Sequence, residues 1–347
     1  MPLFCVILFV YKIMNQKVLI TGITGFVGSH MADFLLERKD VELYGLKRWN
    51  LSRLRNIKHL LDNSRLTLFD CDLTDPVGIR EVIKKIKPDK IFHFAAQSFV
   101  SPSWSHPSHY MDVNFKGTVN LLEAIRQADI NPRFLIAGSP EEHGEIREEE
   151  LPITEETVLR PVNPYAVSKI AQDLIGYVYF RSYGLKVIRT RSFNHEGPRR
   201  DNVFGIPWYA YQIARIEQGR QEPIIRVGHI DDKRNFTHIR DMVEAYWLAM
   251  EKGQPGELYL IGSDEKDHVH TFREALGMMI EMSSIKNKHD VKVEVDPKFV
   301  RPTSLPRLLG NTSKFRTLTG WKPKISFEKI LEDTLNYWRD FIKNDWY

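Results

Sequence analysis

Thr21-Gly22-Ile23-Thr24-Gly25-Phe26-Val27-Gly28 is the stretch from which the rest of this chain is read. Before it, Lys17 to Thr21 is a short apolar run of strand type; after it, Phe26 to Glu37 places its apolar residues at helical spacing. A strand, a glycine-rich turn and a helix form the setting in which proteins cradle a dinucleotide. Gly22 permits the tight turn, Gly25 lets backbone approach a pyrophosphate, and Gly28 lets the helix pack on the strand. Thr24, Phe26 and Val27 belong to the same expected cradle. Free N–H groups and the dipole at the helix start favour phosphate there. The competing reading, a turn merely rich in glycine, does not account for these flanks.

The second strand signal, 41–45, ends without the acidic residue that would bond an adenosine ribose 2′-hydroxyl. Lys47 and Arg48 follow instead, and cations suit a 2′-phosphate, so NADP is expected ahead of NAD. The alternative is that both are solvated surface charges.

Working outward, strand signals at 17–21, 41–45, 66–70, 89–94, 132–138 and 186–191 alternate with helix signals at 26–38, 75–86, 107–128 and 163–183. That rhythm implies right-handed crossovers and an α/β fold with a doubly wound parallel sheet. From about Asn194 the rhythm breaks. Short apolar runs at 223–227, 257–261 and 292–296 mix with helix signals near 203–218, 239–252, 271–283 and 326–343. The expectation is a dinucleotide-binding domain over 14–193, with 236–252 packing back on it. A smaller mixed α/β lobe over 194–347 would then cover the carboxyl ends of the strands, where open sheets bind ligands.

The chain has 347 residues and a formal charge of +4, with both signs interspersed. No basic run carries interleaved aromatics, which argues against nucleic acid. Cys5 and Cys71 stand in no metal or redox spacing, so no metal is expected and a reducing cytoplasm fits. Residues 1–13 are apolar but too short to span a bilayer, and they lack a signal peptide's charge and cleavage pattern. Met14, just before the first strand, suggests a start assigned too far upstream; a peripheral anchor is the alternative.

Tyr165-Ala-Val-Ser-Lys169 places a phenol and an ammonium four residues apart on one helical face. A phenol with a pKa near 10 is a poor base at neutral pH. A neighbouring cation in a dry pocket can supply the roughly 4 kcal/mol needed to bring it down by about three units. Tyr165 can then exchange a proton with a sugar hydroxyl, with Lys169 also holding the cofactor ribose. After strand 132–138, Ser139 and Glu141 are two apart and would face the same way in an extended segment. Ser139 can bond the oxygen that Tyr165 serves, and Glu141 can remove a proton beside a ketone; Glu142 would point away. Loop capping is the bland reading of that pair.

Other candidates gain weight from their company. Phe94, Ala95, Ala96 and Gln97 close a strand with small side chains where the cofactor could lie, and Ser98 follows as a substrate contact. Asp72, with Leu73, could meet the adenine amino group. Asn194, His195, Arg199 and Arg200 open the second lobe, and Arg226, Arg234 and Arg301 are candidates to grip a diphosphate.

Taken together, these motifs resemble the extended short-chain dehydrogenase/reductases from about Met14 to the C-terminus, through Thr21–Gly28, His93-Phe-Ala-Ala-Gln97, Tyr165–Lys169 and Arg234-Asn-Phe-Thr-His-Ile-Arg-Asp241. Lys47-Arg48-Trp49, Arg191-Ser-Phe-Asn-His-Glu-Gly-Pro-Arg-Arg200, Arg301-Pro-Thr and Thr319-Gly-Trp-Lys-Pro323 resemble the GDP-mannose 4,6-dehydratases and the neighbouring GDP-4-keto-6-deoxymannose reductases. The resemblance implies an NADP-dependent nucleotide-sugar dehydratase, with 194–347 as the sugar-nucleotide lobe. C4 would be oxidised transiently, water lost across C5 and C6, and hydride returned to C6. Reduction of a 4-keto sugar is the alternative, and a non-catalytic NADP-binding protein the remaining one, since fold alone does not prove activity. The family also implies a cytoplasmic homodimer or homotetramer joined through 107–128 and 163–183, with no membrane partner. Pro140, His143, Asn235 and His238 depart from the family pattern and are expected to bear on sugar identity.

Overall fold

The computed structural model describes residues 15–49 and 51–344, so the expectations for 1–13 lie outside the described residues. In chain order the first half forms β1 (Gln16–Thr21), α1 (Phe26–Leu36), β2 (Val41–Lys47), β3 (Leu66–Asp70), α2 (Pro76–Ile86), β4 (Lys90–His93) and α3 (Pro107–Tyr110). A π-helical stretch, Met111–Lys116, leads into α4 (Gly117–Gln127), followed by β5 (Arg133–Gly138), α5 (Pro164–Tyr183) and β6 (Val187–Ser192). The second half forms β7 (Asn194–Glu196), α6 (Gly205–Glu217), β8 (Ile224–Val227), β9 (Lys233–His238), α7 (Ile239–Lys252) and β10 (Leu258–Ile261). It ends with β11 (Val269–Thr271), α8 (Phe272–Glu281), β12 (Lys292–Val295), β13 (Arg307–Leu308), α9 (Ser313–Thr319) and α10 (Phe327–Lys343).

Seven strands form the central sheet in the order β10-β6-β5-β4-β1-β2-β3, and every pairing is parallel. Alternating side chains separate its faces: Val18 and Ile20 join the core beneath α1 and α7, while Leu19 joins the opposite core under α2, α4 and α5. Burial on both faces is why these strands read as continuous apolar runs. The order reverses at β1, whose neighbours are β2 and β4, and a crevice opens there at the carboxyl ends.

Local signals set the helix ends. Asp75 accepts from the Val77 N–H with Pro76 in the first turn of α2; Asn163 accepts from the Ala166 N–H with Pro164 in the first turn of α5. Gly184 ends α5 at a φ of 68°. The run 257–261, grouped with the second lobe on sequence, supplies β10 at one edge of the main sheet. Met242, Tyr246 and Ala249 of α7 share a core with Met31 and Leu35 of α1. The second lobe has its own core of α6, α8 and α10, built from Ile213, Leu276, Leu331 and Trp338 among others. Its strands β7, β9, β11 and β13 form one small sheet, and β8 pairs with β12 in another. Among the described residues no helix is long and apolar enough to cross a membrane.

Candidate active site

A cleft of about 1740 Å³ lies between the carboxyl ends of the main sheet and the second lobe. The turn after β1 forms one wall. Gly22 sits at a φ of +73°, and a Cβ on Gly28 would lie 2.2 Å from the Gly22 carbonyl oxygen, so neither position has room for a side chain. Gly25 caps α1 with no side-chain hydrogen bond, and no acidic residue occupies the first turn. The N–H groups at this helix start are therefore left for a ligand, and the cradle fits the pyrophosphate of a dinucleotide. Thr24, Phe26 and Val27 line it with the glycines, and Leu73, Phe94, Ala95, Ala96, Gln97 and Ser98 continue the wall.

At the far end lie Lys47, Arg48 and Asp72. Lys47 is ion-paired with Asp70 of β3, whereas the Arg48 side chain is exposed at the rim. Asp72 accepts from both the backbone N–H and the hydroxyl of Thr74.

The first turn of α5 carries the phenol. Tyr165 is buried against Val100 and Tyr110, and burial raises its pKa well above the ordinary phenol value. A hydrogen bond from Ser139 opposes that rise, while Glu141 and Glu142 add to it. Lys169 lies behind Tyr165, outside the cleft lining. Its ammonium donates to the Ala137 carbonyl at 2.7 Å and to the Gln172 side chain. Burial lowers its pKa against the pull of the Glu142 and Asp173 carboxylates.

Residues 139–142 are not extended. Ser139 is the N-cap of a short 3₁₀ turn, Pro140–Glu142, and its Oγ accepts from the Glu141 N–H at 3.3 Å. The capping-box pattern outcompetes strand continuation here. The turn still delivers Ser139 and Glu141 to the cleft, and sends Glu142 into the interior. Glu141 Oε2 accepts from the Asn163 side chain at 2.9 Å, and Oε1 faces an Arg301 guanidinium nitrogen at 3.4 Å. Asn163 thus starts the helix that carries Tyr165 and also orients Glu141, a role not read from the sequence although the Asn-Pro cap signal was visible.

The second lobe brings in Asn194, His195, Arg199, Arg200, Arg234 and Arg301. His195 stacks on Phe26 with ring centroids 5.8 Å apart, and burial lowers its pKa to about 3, which leaves a neutral ring. Arg199 is paired with Asp33 of α1 at 2.7 Å, and Arg200 lies over the Phe204 ring. Arg234 is buried and donates to the Lys233 carbonyl and Asp232. Arg226 is a correction to the sequence reading: it is exposed on β8, outside the cleft, and its backbone bonds Gln212 and Trp208 of α6. On a strand the face presented depends on register, and Arg226 alternates with the buried Ile225 and Val227.

Of the four departures from the family pattern, only Pro140 lines the cleft. His143 is buried against Arg191, Asn235 accepts from the Gly310 N–H at 2.9 Å, and His238 accepts from the Arg240 N–H at 3.0 Å as the cap of α7. These three lie in the scaffold, outside the cleft lining. Other buried polar groups behind the site also escaped notice in the sequence. Thr21 bonds His93 at 2.7 Å, His93 bonds Thr118 at 2.9 Å, and Gln172 donates to Thr118 at 2.8 Å, ending at Lys169. Asn114, set by the π-helical stretch, clamps Gln97 and Ser168.

A family model described as GDP-mannose 4,6 dehydratase matches residues 19–334. GDP-mannose 4,6 dehydratase 1 of Arabidopsis thaliana is 35% identical over 325 residues, covering 90% of this chain and 87% of its own. The GDP-6-deoxy-D-mannose reductase of Pseudomonas aeruginosa is 29% identical over 332 residues, covering 96% and 100% respectively. A solved structure of RMD from Pseudomonas aeruginosa complexed with NADPH superposes with a TM-score of 0.78 at 28% identity, covering 94% of this chain and 99% of the other.

Proposed function

This chain belongs to the GDP-mannose 4,6-dehydratase family, and we propose that it converts GDP-mannose to GDP-4-keto-6-deoxymannose. The observation that carries this reading is a carboxylate in the cleft beside the phenol: Glu141, held by Asn163 and Arg301, on the turn whose Ser139 hydrogen-bonds Tyr165. Loss of water needs such a base in addition to the tyrosine and lysine that redox chemistry requires.

A bound nicotinamide supplies the hydride acceptor and, once reduced, the donor. The protein's own residues manage the protons. Tyr165, with Ser139 and Lys169, takes the proton of the C4 hydroxyl. The resulting ketone acidifies C5, and Glu141 takes the C5 proton as the C6–oxygen bond breaks. Two protons are taken and two are spent, one on the departing hydroxide and one on C5; the one hydride removed from C4 is matched by the one delivered to C6, so no net oxidation remains. Burial keeps the Tyr165 phenol protonated without cofactor, which suits a group that turns basic only when a cationic oxidised ring lies beside it.

NADP is the cofactor proposed. Arg48 at the rim, with Arg53 also lining the cleft, supports a site for a 2′-phosphate, whereas Lys47 is engaged by Asp70. Arg301, with the Arg234 side chain behind it, is proposed to take the sugar-nucleotide diphosphate. A homodimer through α4 and α5 is proposed from Val167, Leu174 and Val178, which leave apolar side chains exposed along α5. The domain assignment follows the cores: the main sheet with α7 binds dinucleotide, and the lobe around α6, α8 and α10 binds sugar nucleotide.

The test is incubation of the purified protein with GDP-mannose and catalytic NADP, read by mass spectrometry. Loss of one water without accumulation of NADPH is the expected result. The likeness to the reductase supports a second reading, consumption of NADPH by a 4-keto sugar. That outcome, with GDP-mannose untouched, would replace the first.

A further inference from the structure

Glu141, the proposed base, is held from two sides by partners of different kinds. Its Oε2 accepts from Asn163 Nδ2 at 2.9 Å, and Asn163 is itself buried and fixed, its Oδ1 accepting from the Ala166 N–H at 2.8 Å as the cap of α5. Its Oε1 faces Arg301 Nη1 at 3.4 Å, long beside the roughly 2.7–2.9 Å of a strong charge-assisted hydrogen bond. Among the described residues this is the one hydrogen bond or ion pair that the Arg301 guanidinium makes. Arg301 is partly exposed and lines the cleft. Its loop is anchored farther along, where Thr303 donates to the Val162 carbonyl and Ser304 to Asp232. Arg234, the neighbouring cation, is buried and already bonded to the Lys233 carbonyl and Asp232. One oxygen of Glu141 is thus tied to the scaffold, and the other to a long side chain with donors to spare.

The two roles given to Arg301 compete. A guanidinium on a carboxylate stabilises its charge and makes it a weaker base, whereas removing a proton from carbon calls for full basicity. A nucleotide diphosphate carries more charge than one carboxylate and can take the guanidinium in a bidentate grip. We propose that the Glu141–Arg301 pair masks the base, and that the diphosphate of the incoming sugar nucleotide breaks it. Arg301 then turns to the diphosphate, Glu141 stays on Asn163, and Oε1 is released to face the sugar. The substrate thereby unmasks its own base, and a sugar without the diphosphate meets a Glu141 still engaged by arginine. The proposal rests on reading Glu141 as the base and Arg301 as the diphosphate contact.

A double-mutant cycle on nucleotide affinity tests this, with GDP as the probe and titration calorimetry as the readout. E141Q frees Arg301 of its carboxylate, so GDP should bind about two- to fivefold more tightly, the scale of a partly exposed ion pair. R301Q should weaken GDP binding by about tenfold or more. Adding E141Q to R301Q should then change nothing, since no guanidinium remains to be released. E141Q that leaves GDP affinity unchanged, or weakens it, overturns the exchange. So does tightening of equal size in both backgrounds, which is plain repulsion between carboxylate and phosphate. The readout is affinity and uses no turnover, so failure of the water-loss assignment leaves it intact. R301Q that binds GDP like the wild type removes the diphosphate contact itself and the proposal with it, as does a wild type that binds neither GDP nor UDP. Should E141Q not fold, E141A frees the same guanidinium and carries the same expectation and the same refutation.

Discussion

Replacing Glu141 with Gln separates chemistry from scaffold. The glutamine side chain has the same shape, and its carbonyl oxygen can still accept from Asn163, now at 2.9 Å from Oε2. What is lost structurally is the ion pair with Arg301, a 3.4 Å contact between side chains that are 33% exposed on the arginine and 13% on the glutamate. Partly solvated pairs of this kind contribute under about 1 kcal/mol. The melting temperature should therefore move by no more than about 2–4 °C. The chemical loss is larger, because an amide cannot accept the C5 proton. A positioned base contributes about 10²- to 10⁴-fold, or roughly 3–5.5 kcal/mol of barrier. Water loss from GDP-mannose, followed by mass spectrometry, should fall by that factor, with deuterium exchange at C5 lost in parallel. Oxidation at C4 does not use Glu141, so a small absorbance of reduced cofactor should still form on mixing. Turnover by E141Q within tenfold of the wild type would refute Glu141 as the base. A melting temperature lower by much more than the pair allows would show that Glu141 is a scaffold residue.

Further outcomes follow from the same geometry. G28A places a Cβ 2.2 Å from the Gly22 carbonyl oxygen, so α1 must move by roughly 1 Å, and NADPH affinity should drop by about 100-fold or more; affinity near the wild type's in a fluorescence titration would contradict the cradle. R48A should raise the Kd for NADPH about 10- to 100-fold through loss of a charge-assisted contact while sparing NADH; an equal loss for both would remove the 2′-phosphate assignment. R301A should raise the KM for GDP-mannose by about 10- to 100-fold, whereas R226A, exposed outside the cleft, should stay within about twofold; the opposite order would reinstate Arg226. L174D, at an exposed apolar position on α5, should yield monomers in sedimentation velocity, and an unchanged sedimentation coefficient would move the proposed interface elsewhere.

Local sequence determined the dinucleotide-binding half almost residue by residue. Its strands are apolar on both faces, its helices repeat at 3.6, and Asp75-Pro76, Asn163-Pro164 and Gly184 mark helix ends through bonds made within a few residues. Glycines 22 and 28 were legible for the same reason, since the turn they build closes on itself. The second lobe was harder because β9 carries Lys-Arg-Asn-Phe-Thr-His, which shows no apolar alternation although five of its six residues are buried. Its polar side chains are satisfied from far along the chain: Asn235 by Gly310, Thr237 by Ser263. Facing was read only in part. The two-residue spacing already set Glu141 with Ser139 and turned Glu142 away, but it assumed an extended segment; the structure reaches the same outcome through a 3₁₀ turn, and only the fold shows that Glu142 meets Arg191. Arg226 and Arg234 stand on short strands of similar look, and one is exposed while the other is buried beside Glu141. Spacing and caps are properties of neighbouring residues; which side chain meets solvent, substrate or a buried counter-charge depends on contacts between segments far apart in the chain, and so belongs to the fold as a whole.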